Sequence, residues 1–391
     1  MTKNTPKLRF KEFTDEWQEK KLGDLGITVS DGNYGEKYPK ASEMKSSGVP
    51  FIRANNIKGS RLVWDDMKYI TPELHSSLTS GHLKPGDILV TTRGDIGTVA
   101  NVTQEFEGSN INAQICLLRV DSNLSCDFLY QYLGTSFGKT QFRQLQSGSA
   151  LKQLPKEKLG CVKISIPTKE EQEKIAGFLG AVDEKIGRLE EVKKGFEKYK
   201  KGVMQAIFSQ KIRFKKPDGS NFTDWEEKKL GELCKITTGK LNANAMVPNG
   251  EYRFYTCAKD FYQIDKYAFD TEALLVSGNG ANVGYIHYYQ GKFNAYQRTY
   301  VLDKFSENIF FIKYVLQKDL SQRIQVEKKE GNTPYIVLDT LAKMKILLPD
   351  MGEQEKIAGF LISLDNKVDL INKHLEQTKL FKKSLLQQMF V

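Results

Sequence analysis

The sequence predicts an α+β chain made of two related mixed domains, each followed by a long α-helix. Three observations predict it. The nine-residue string EQEKIAGFL occurs twice, at Glu171–Leu179 and at Glu353–Leu361. Each occurrence opens a single, sustained apolar stripe at helical spacing. Ahead of each lie short β-rich runs punctuated by Gly, Asn and Asp, with short helical segments between them.

The repeat sets the architecture. Its two strings lie 182 residues apart, and the similarity extends upstream, Ile164–Pro167 standing where Ile346–Pro349 stands in the second copy. Near each start, WQEKKLGDL (Trp17–Leu25) matches WEEKKLGEL (Trp225–Leu233), preceded by FTDEW and FTDW, at the larger offset of 208 residues. The interiors therefore differ in length by 26 residues while the borders match. Between the borders, LVTTRGDIGTV (Leu89–Val99) is a loose counterpart of LVSGNGANVG (Leu275–Gly284).

Each copy closes with a helix. From Lys169 the apolar positions are Ile175, Phe178, Leu179, Val182, Ile186, Leu189, Val192, Phe196, Tyr199, Val203 and Ile207. The second copy gives Ile357, Phe360, Leu361, Leu364, Val368, Ile371, Leu375, Leu385 and Met389. Pro167 stands just outside the first helix, and Thr168 followed by Glu171 reads as a capping box. A stripe this long, flanked by Lys and Glu, is coiled-coil-like. About 40 residues make a rod of roughly 60 Å, and two such rods would bury their stripes against each other. The runs Val49–Ile52, Asp87–Thr91, Ile115–Val120, Ala273–Ser277 and Thr299–Asp303 read as strands, and Cys126–Phe142 and Asn308–Ile324 as helices. Lys211–Pro217 is the natural boundary between copies. The resulting division is 1–168, a helix over 169–210, 211–350, and a second helix over 351–391.

Composition narrows the function. The chain has 391 residues, 40% of them hydrophobic, which is enough for two packed cores. A formal charge of +10 points to a polyanionic partner, of which nucleic acid is the commonest. The five cysteines (Cys116, Cys126, Cys161, Cys234, Cys257) contain no CxxC pair, against a disulfide framework and against zinc. No signal-peptide core and no stretch of roughly 20 apolar residues is found, so a cytoplasmic protein with no membrane partner is expected.

Three strings invite a catalytic reading. Gly278–Gly284 looks like a glycine loop for a dinucleotide or S-adenosylmethionine, but the aromatic, strand-like YIHYYQGKF follows and no helix opens there, so a turn between strands is favoured. Asn332-Thr333-Pro334-Tyr335 approaches the Asn/Asp-Pro-Pro-Tyr signature of amino-methyltransferases without its first proline. Pro217-Asp218 with Glu226–Lys228 outlines a nuclease motif, yet the second part recurs at Glu19–Lys21 with no Pro-Asp ahead of it. The four histidines show no HxxxH or HExxH spacing, and no P-loop is present. Binding without catalysis is the expected mode.

The W-x-E-K-K-L-G-[DE]-L openings, the P-x-x-x-E-Q-E-K-I-A-G-F-L helix starts and LVTTRGDIGTVAN with downstream INAQICLLRVD carry a resemblance over the whole chain. It resembles the specificity (S) subunit of type I restriction–modification systems. The resemblance implies two pseudo-twofold-related target recognition domains separated by two long antiparallel coiled-coil helices. Each domain would read one half of a bipartite double-stranded DNA target, with the helices as a ruler setting the gap. Remaining helix faces would dock two modification (M) subunits, which flip and methylate adenine with S-adenosylmethionine. Restriction (R) subunits would add cleavage driven by ATP and Mg. No cofactor is expected in this chain. The alternatives are a stand-alone adenine-specific DNA methyltransferase and a coiled-coil protein-binding scaffold.

Base readout calls for Arg or Lys at guanine and Asn or Gln at adenine, with hydroxyls and cations on phosphate. In copy one the candidates are Arg53, Asn55, Asn56 and Lys58; Thr91, Thr92 and Arg93; Asn112 and Gln114; and Ser147, Ser149 and Lys152. In copy two they are Thr238 and Lys240; Lys259; Ser277, Asn279 and Asn282; Gln297 and Arg298; and Asn332 and Thr333. The basic run Lys193–Lys216 offers phosphate contacts, a solvated face or an M-subunit contact.

Overall fold

The structure, a computed structural model, describes residues 4–34, 38–120, 124–149, 151–327 and 335–391. It divides into two compact units, Met1–Glu190 with Lys373–Val391, and Glu191–Asn372. In the first unit the chain forms β1 (Gln18–Lys21), β2 (Thr28–Asp31), β3 (Val49–Ile52), β4 (Ile57–Lys58), β5 (Arg61–Leu62), β6 (Lys68–Ile70), α1 (Pro72–Ser77), β7 (Ile88–Thr91), β8 (Val99–Asn101), β9 (Asn110–Ile111) and β10 (Ile115–Arg119). Next come α2 (Cys126–Leu133), α3 (Ser136–Gln144), α4 (Lys156–Leu159) and β11 (Lys163–Ile166), then the long α5 (Lys169–Phe208). The second unit repeats the plan with β12 (Glu226–Lys229), α6 (Leu230–Leu233), β13 (Lys235–Thr238), β14 (Tyr252–Tyr255), β15 (Tyr262–Ile264), β16 (Phe269–Ser277), β17 (Ile286–Ala295) and β18 (Thr299–Asp303). It closes with α7 (Ile309–Glu327), α8 (Leu338–Ala342), β19 (Lys345–Leu348) and α9 (Met351–Gln388).

The central sheets run β2-β10-β7-β8-β5-β4 and β13-β18-β16-β17-β14-β15. Alternation assigns their faces. On β7, Ile88 and Val90 join the core beside α2 while Leu89 points to the opposite one. On β16, Leu274 and Val276 pack with α7 residues while Ala273 and Leu275 face the other way. The interiors differ in one traceable respect. In the second unit, β14 pairs parallel with the far end of β17, Tyr255 opposite Ala295. In the first, the matching pair, Ile52 opposite Ile111, is parallel too but lies in a separate three-stranded sheet, β6-β3-β9. The continuous strand β17 is thus split into β8 and β9, and the β4–β5 hairpin is inserted.

The repeated string has a structural reason at its first two polar positions. Glu171 is fully buried and receives Arg9 through two bonds of 2.8 Å; Glu353, also buried, receives Arg213 at 3.3 and 2.7 Å. Gln172 Nε2 donates to Pro167 O at 3.0 Å, and its Oε1 accepts from Ser125 N, the residue that caps α2, at 2.9 Å. Gln354 does the same with Pro349 O and Asn308 N. Ile175, Ala176 and Leu179 then enter one core, and Ile357, Ala358 and Leu361 the other. The capping-box expectation is corrected here: Glu171 gives its carboxylate to Arg9, and only Thr168 Oγ1 keeps a capping role, accepting a long 3.5 Å bond from Glu171 N.

Each long helix begins in one core and ends in the other. Ile207 and Phe208, at the end of α5, lie in the second unit's core, whereas Met389 and Phe390, just past α9, lie in the first's. Inside the first unit the two helical stretches run antiparallel, Asp183 meeting Lys382 at 2.7 Å and Glu190 meeting Lys379 at 2.8 Å. Inside the second, Asp365 pairs with Lys200, and Lys367 lies over Phe196. Gln131 from α2 donates to Asp183, and Tyr314 from α7 donates to Asp365, both at 2.7 Å. The predicted stripe is not uniformly covered: Phe178, Val192 and Tyr199 are exposed. The expected Cys126–Phe142 helix is broken at Gly134-Thr135, where Thr135 caps α3.

Candidate nucleic-acid interface

In each unit one edge of the sheet collects the connections that follow β2/β13, β3/β14 and β7/β16. In the first, Thr92 N donates to Gln114 O (2.8 Å), Leu154 N to Thr92 O (2.9 Å) and Asn112 N to Ile52 O (2.9 Å). In the second, Gly278 N donates to Arg298 O (2.8 Å), Ile336 N to Gly278 O (2.7 Å) and Tyr296 N to Tyr255 O (2.9 Å). One bonding scheme thus carries two unrelated loop sequences. A pair of glycines makes the edge possible. A Cβ on Gly32, after β2, would collide with the backbone of Ile111 and Asn112, and one on Gly239, after β13, with that of Ala295 and Tyr296.

The candidates divide by burial. Asn56 is fully buried and spent locally: its Oδ1 accepts from Arg53 N and its Nδ2 donates to Asp65 O. Thr91 is buried, its hydroxyl donating to Asp95 O and accepting from Thr98 N, and Thr92 is buried beside it. Asn112 is buried and shapes the turn by accepting from Gln114 N at 3.1 Å. Ser277 is buried, with no partner for its hydroxyl among the described residues. These five build the edge; their side chains do not face solvent.

Several others do. Arg93, Gln114, Ser149, Lys152, Thr238, Lys240, Lys259, Gln297 and Arg298 are exposed, and Ser147 pairs with Gln153 to close the loop that carries Ser149 and Lys152. Asn279 and Asn282 are half-buried, and Asn282 Nδ2 donates to Cys257 O at 3.1 Å. Arg53, Asn55 and Lys58 are compensated within their own hairpin. Arg53 meets Asp66 at 2.9 Å, Asn55 donates to the same carboxylate at 3.3 Å, and Lys58 meets Asp65 at 3.2 Å. Asn332 and Thr333 lie outside the described residues. The Gly278–Gly284 string is a turn between antiparallel β16 and β17, with no helix at its end.

Sequence reasoning missed the aromatic members. Tyr34, 48% exposed, donates its hydroxyl to Ala113 O at 2.7 Å, and the Arg93 guanidinium stands 5.7 Å from its ring centre. Burial and nearby Asp31 push its phenol pKa upward. Tyr285 packs edge-on against His287, whose ring shares a 3.0 Å bond with Ala258 O. Both tyrosines stand beside turns that the sequence does mark, but nothing in the local pattern distinguishes them from core aromatics. Among the described residues no group of three or more His, Cys, Asp or Glu is placed to hold a metal ion, and no helix is long and apolar enough to cross a membrane.

Two copies of one scaffold, each presenting its own loop-built edge, define a duplicated recognition protein. The chain belongs to the type I restriction modification DNA specificity domain family, whose model matches residues 14–195 and 223–380. It is 40% identical over 154 residues to the type I restriction enzyme EcoDI specificity subunit of Escherichia coli, covering 39% of this chain and 34% of that one. It is 26% identical over 299 residues to the MjaVIII specificity subunit of Methanocaldococcus jannaschii, covering 68% and 69% of the two chains. The fold matches the crystal structure of a type I restriction–modification S subunit from M. genitalium, with a TM-score of 0.66, 18% identity and 99% of both chains covered.

Proposed function

We propose that this chain is the DNA sequence-specificity subunit of a type I restriction–modification enzyme. Each unit reads one half of a bipartite target, and the paired helices set the gap. Two M subunits dock on the helices to methylate adenine, and R subunits join for cleavage. The chain itself is non-catalytic and binds no cofactor; S-adenosylmethionine belongs to M, and ATP and Mg to R. The observation that carries this reading is the split between a scaffold that repeats residue for residue and edges that do not. Glu171 and Glu353, Gln172 and Gln354, and Asp183 and Asp365 each keep the offset of 182 and meet, respectively, an arginine, a backbone N–H and a lysine in both copies. The edges place Arg93 and Lys152 in one unit against Lys240, Lys259 and Arg298 in the other. Docking on the helices is supported by Tyr199 and Phe381, again 182 apart, which stand 53% and 52% exposed outside both cores.

Long-read mapping of methylated adenines in cells expressing the chain with its M subunit tests the reading. One bipartite motif is expected. Replacing Asp218–Lys345 with a relative's segment should change one half alone, and adding whole turns to Lys169–Gln210 should change only the gap. A swap that alters both halves or neither refutes the two-reader arrangement.

A further inference from the structure

Beside Tyr34 the first unit's reading edge contains a cavity of about 180 Å³, lined by Asp31, Tyr34, Thr92, Arg93, Gln153 and Lys156 among others. At ~30 Å³ per liquid water this is about six water volumes, the scale of one heterocyclic ring. Two carboxylates, Asp31 and Glu157, share its lining with the cations and argue against a phosphate site. One side is a flat ring fixed at its far end by the Ala113 carbonyl, with the Arg93 guanidinium over one face at 5.7 Å from the ring centre, leaving the other face for a base. The same lining holds the Asp31 carboxylate, an acceptor only, paired with Lys156 at 3.2 Å. An aromatic face with an arginine beside it holds single bases by stacking, and a carboxylate accepts from an exocyclic amino group.

We infer that this cavity takes one unstacked base bearing an exocyclic amino group, not thymine, from the half-site the first unit reads. The inference rests on the specificity-subunit reading and adds a mode of recognition to it. Tyr34 supplies the stacking surface. Its hydroxyl is already bonded within the fold, so the ring is positioned before DNA arrives and loses little freedom on binding. Asp31 selects the amino group, and Arg93 covers the ring from the mouth. At the second unit's edge Tyr285 leans on His287.

A mismatch scan tests it by sign. The full chain with its M subunits is titrated against duplexes carrying a mismatch at each position of the first half-site, once methylation mapping has identified that half-site. Where the protein draws a base from the stack, a mismatch removes pairing that would otherwise have to be broken, so binding tightens by about tenfold. At every other read position a mismatch weakens binding, except at the adenine that M flips, where a gain is expected whether or not Tyr34 is present. Tyr34→Ala should abolish the gain at that one position, Tyr34→Phe should keep it, and Asp31→Asn should reduce the preference for an amino-bearing base there. If no position besides the adenine flipped by M gains from a mismatch, or if Tyr34→Ala leaves that further gain intact, the inference is overturned and the specificity reading stands. If the matched duplex itself is not bound, both fall.

Discussion

Replacing Phe390 with alanine should loosen the N-terminal unit and leave the second unit untouched. Phe390 is 2% exposed, and its ring lies 5.5 Å from that of Phe128, 5.8 Å from Tyr132 and 6.3 Å from Trp17. Truncating a fully buried phenylalanine costs about 3–5 kcal/mol from lost transfer energy and the cavity left behind. Of the bordering rings, Tyr132 is tied by its bond to Lys163 O, so collapse into the space is limited on that side. Because each 1.4 kcal/mol is tenfold in an equilibrium, amide protection governed by opening of this core should fall by about a hundredfold or more. Hydrogen–deuterium exchange would read it on peptides covering Trp17–Leu22 and Cys126–Leu133. Peptides from Ile309–Leu316 should not change. The control is Phe208→Ala at the matching position of α5, whose ring neighbours Phe311 at 5.7 Å, and it should give the opposite pattern. If Phe390→Ala released the Ile309–Leu316 region, or released neither, the assignment of each helix end to its core would be wrong.

Three further outcomes are expected. Glu171→Ala leaves Arg9 without its carboxylate and should destabilise the first unit by about 3–5 kcal/mol, with Glu353→Ala doing the same to the second; urea unfolding followed unit by unit checks both. Gly32→Ala and Gly239→Ala force a Cβ onto backbone that cannot retreat, so each should cost about 1–3 kcal/mol and disturb only its own half of the methylation motif. His287 is held neutral, its pKa lowered by burial between Tyr255 and Tyr285. The unfolded chain takes up that proton near pH ~6.5 while the folded unit does not, so this contribution is complete above that pH and is lost as pH falls. The second unit's thermal midpoint should therefore drop on acidification more steeply than that of His287→Gln, and equal slopes would dismiss the effect.

What could be read from the sequence followed from periodicity and repetition. The long helices were legible because a 3.6-residue stripe needs no partner to be recognised, and the central strands because β-branched runs such as Ile88–Thr91 are buried on both faces. The sequence also carries a further repeated signal. K-x-R-F-K occurs at Lys7–Lys11 and Lys211–Lys215, and it delivers the arginines that grip Glu171 and Glu353. Likewise YKKGVMQAIF (Tyr199–Phe208) and FKKSLLQQMF (Phe381–Phe390) repeat at the offset of 182, and they mark the helix ends that enter the cores. The reading edge was legible as a set of loops but not residue by residue. Asn56, Thr91 and Asn112 have the composition of base readers and yet satisfy backbone groups in tight turns, a role that the same side chains fill equally well. Tyr34 and Arg93 are brought together from 59 positions apart by sheet pairing, and no local pattern reports that.

The two kinds of contact explain how such a chain can change what it reads while keeping its fold. Scaffold positions are coupled side chain to side chain. Asp183 serves Lys382 and Gln131 at once, and Asp365 serves Lys200 and Tyr314, so a change at one must be matched at distant positions. At the reading edge the bonds run through the main chain, from Thr92 N to Gln114 O and from Gly278 N to Arg298 O. Those bonds do not depend on which side chain is carried. Arg93, Lys152, Lys240, Lys259 and Arg298 make no ion pair among the described residues, so exchanging them breaks none, and Arg93 alone gives up a contact, the one over the Tyr34 ring. The edge can therefore vary at small cost to stability, typically within about 0.5 kcal/mol for a surface substitution, whereas the helix junctions cannot. Tyr34 is the exception in the first unit, an exposed ring tied by its own hydroxyl, and it is where a change of specificity should also register as a change of stability.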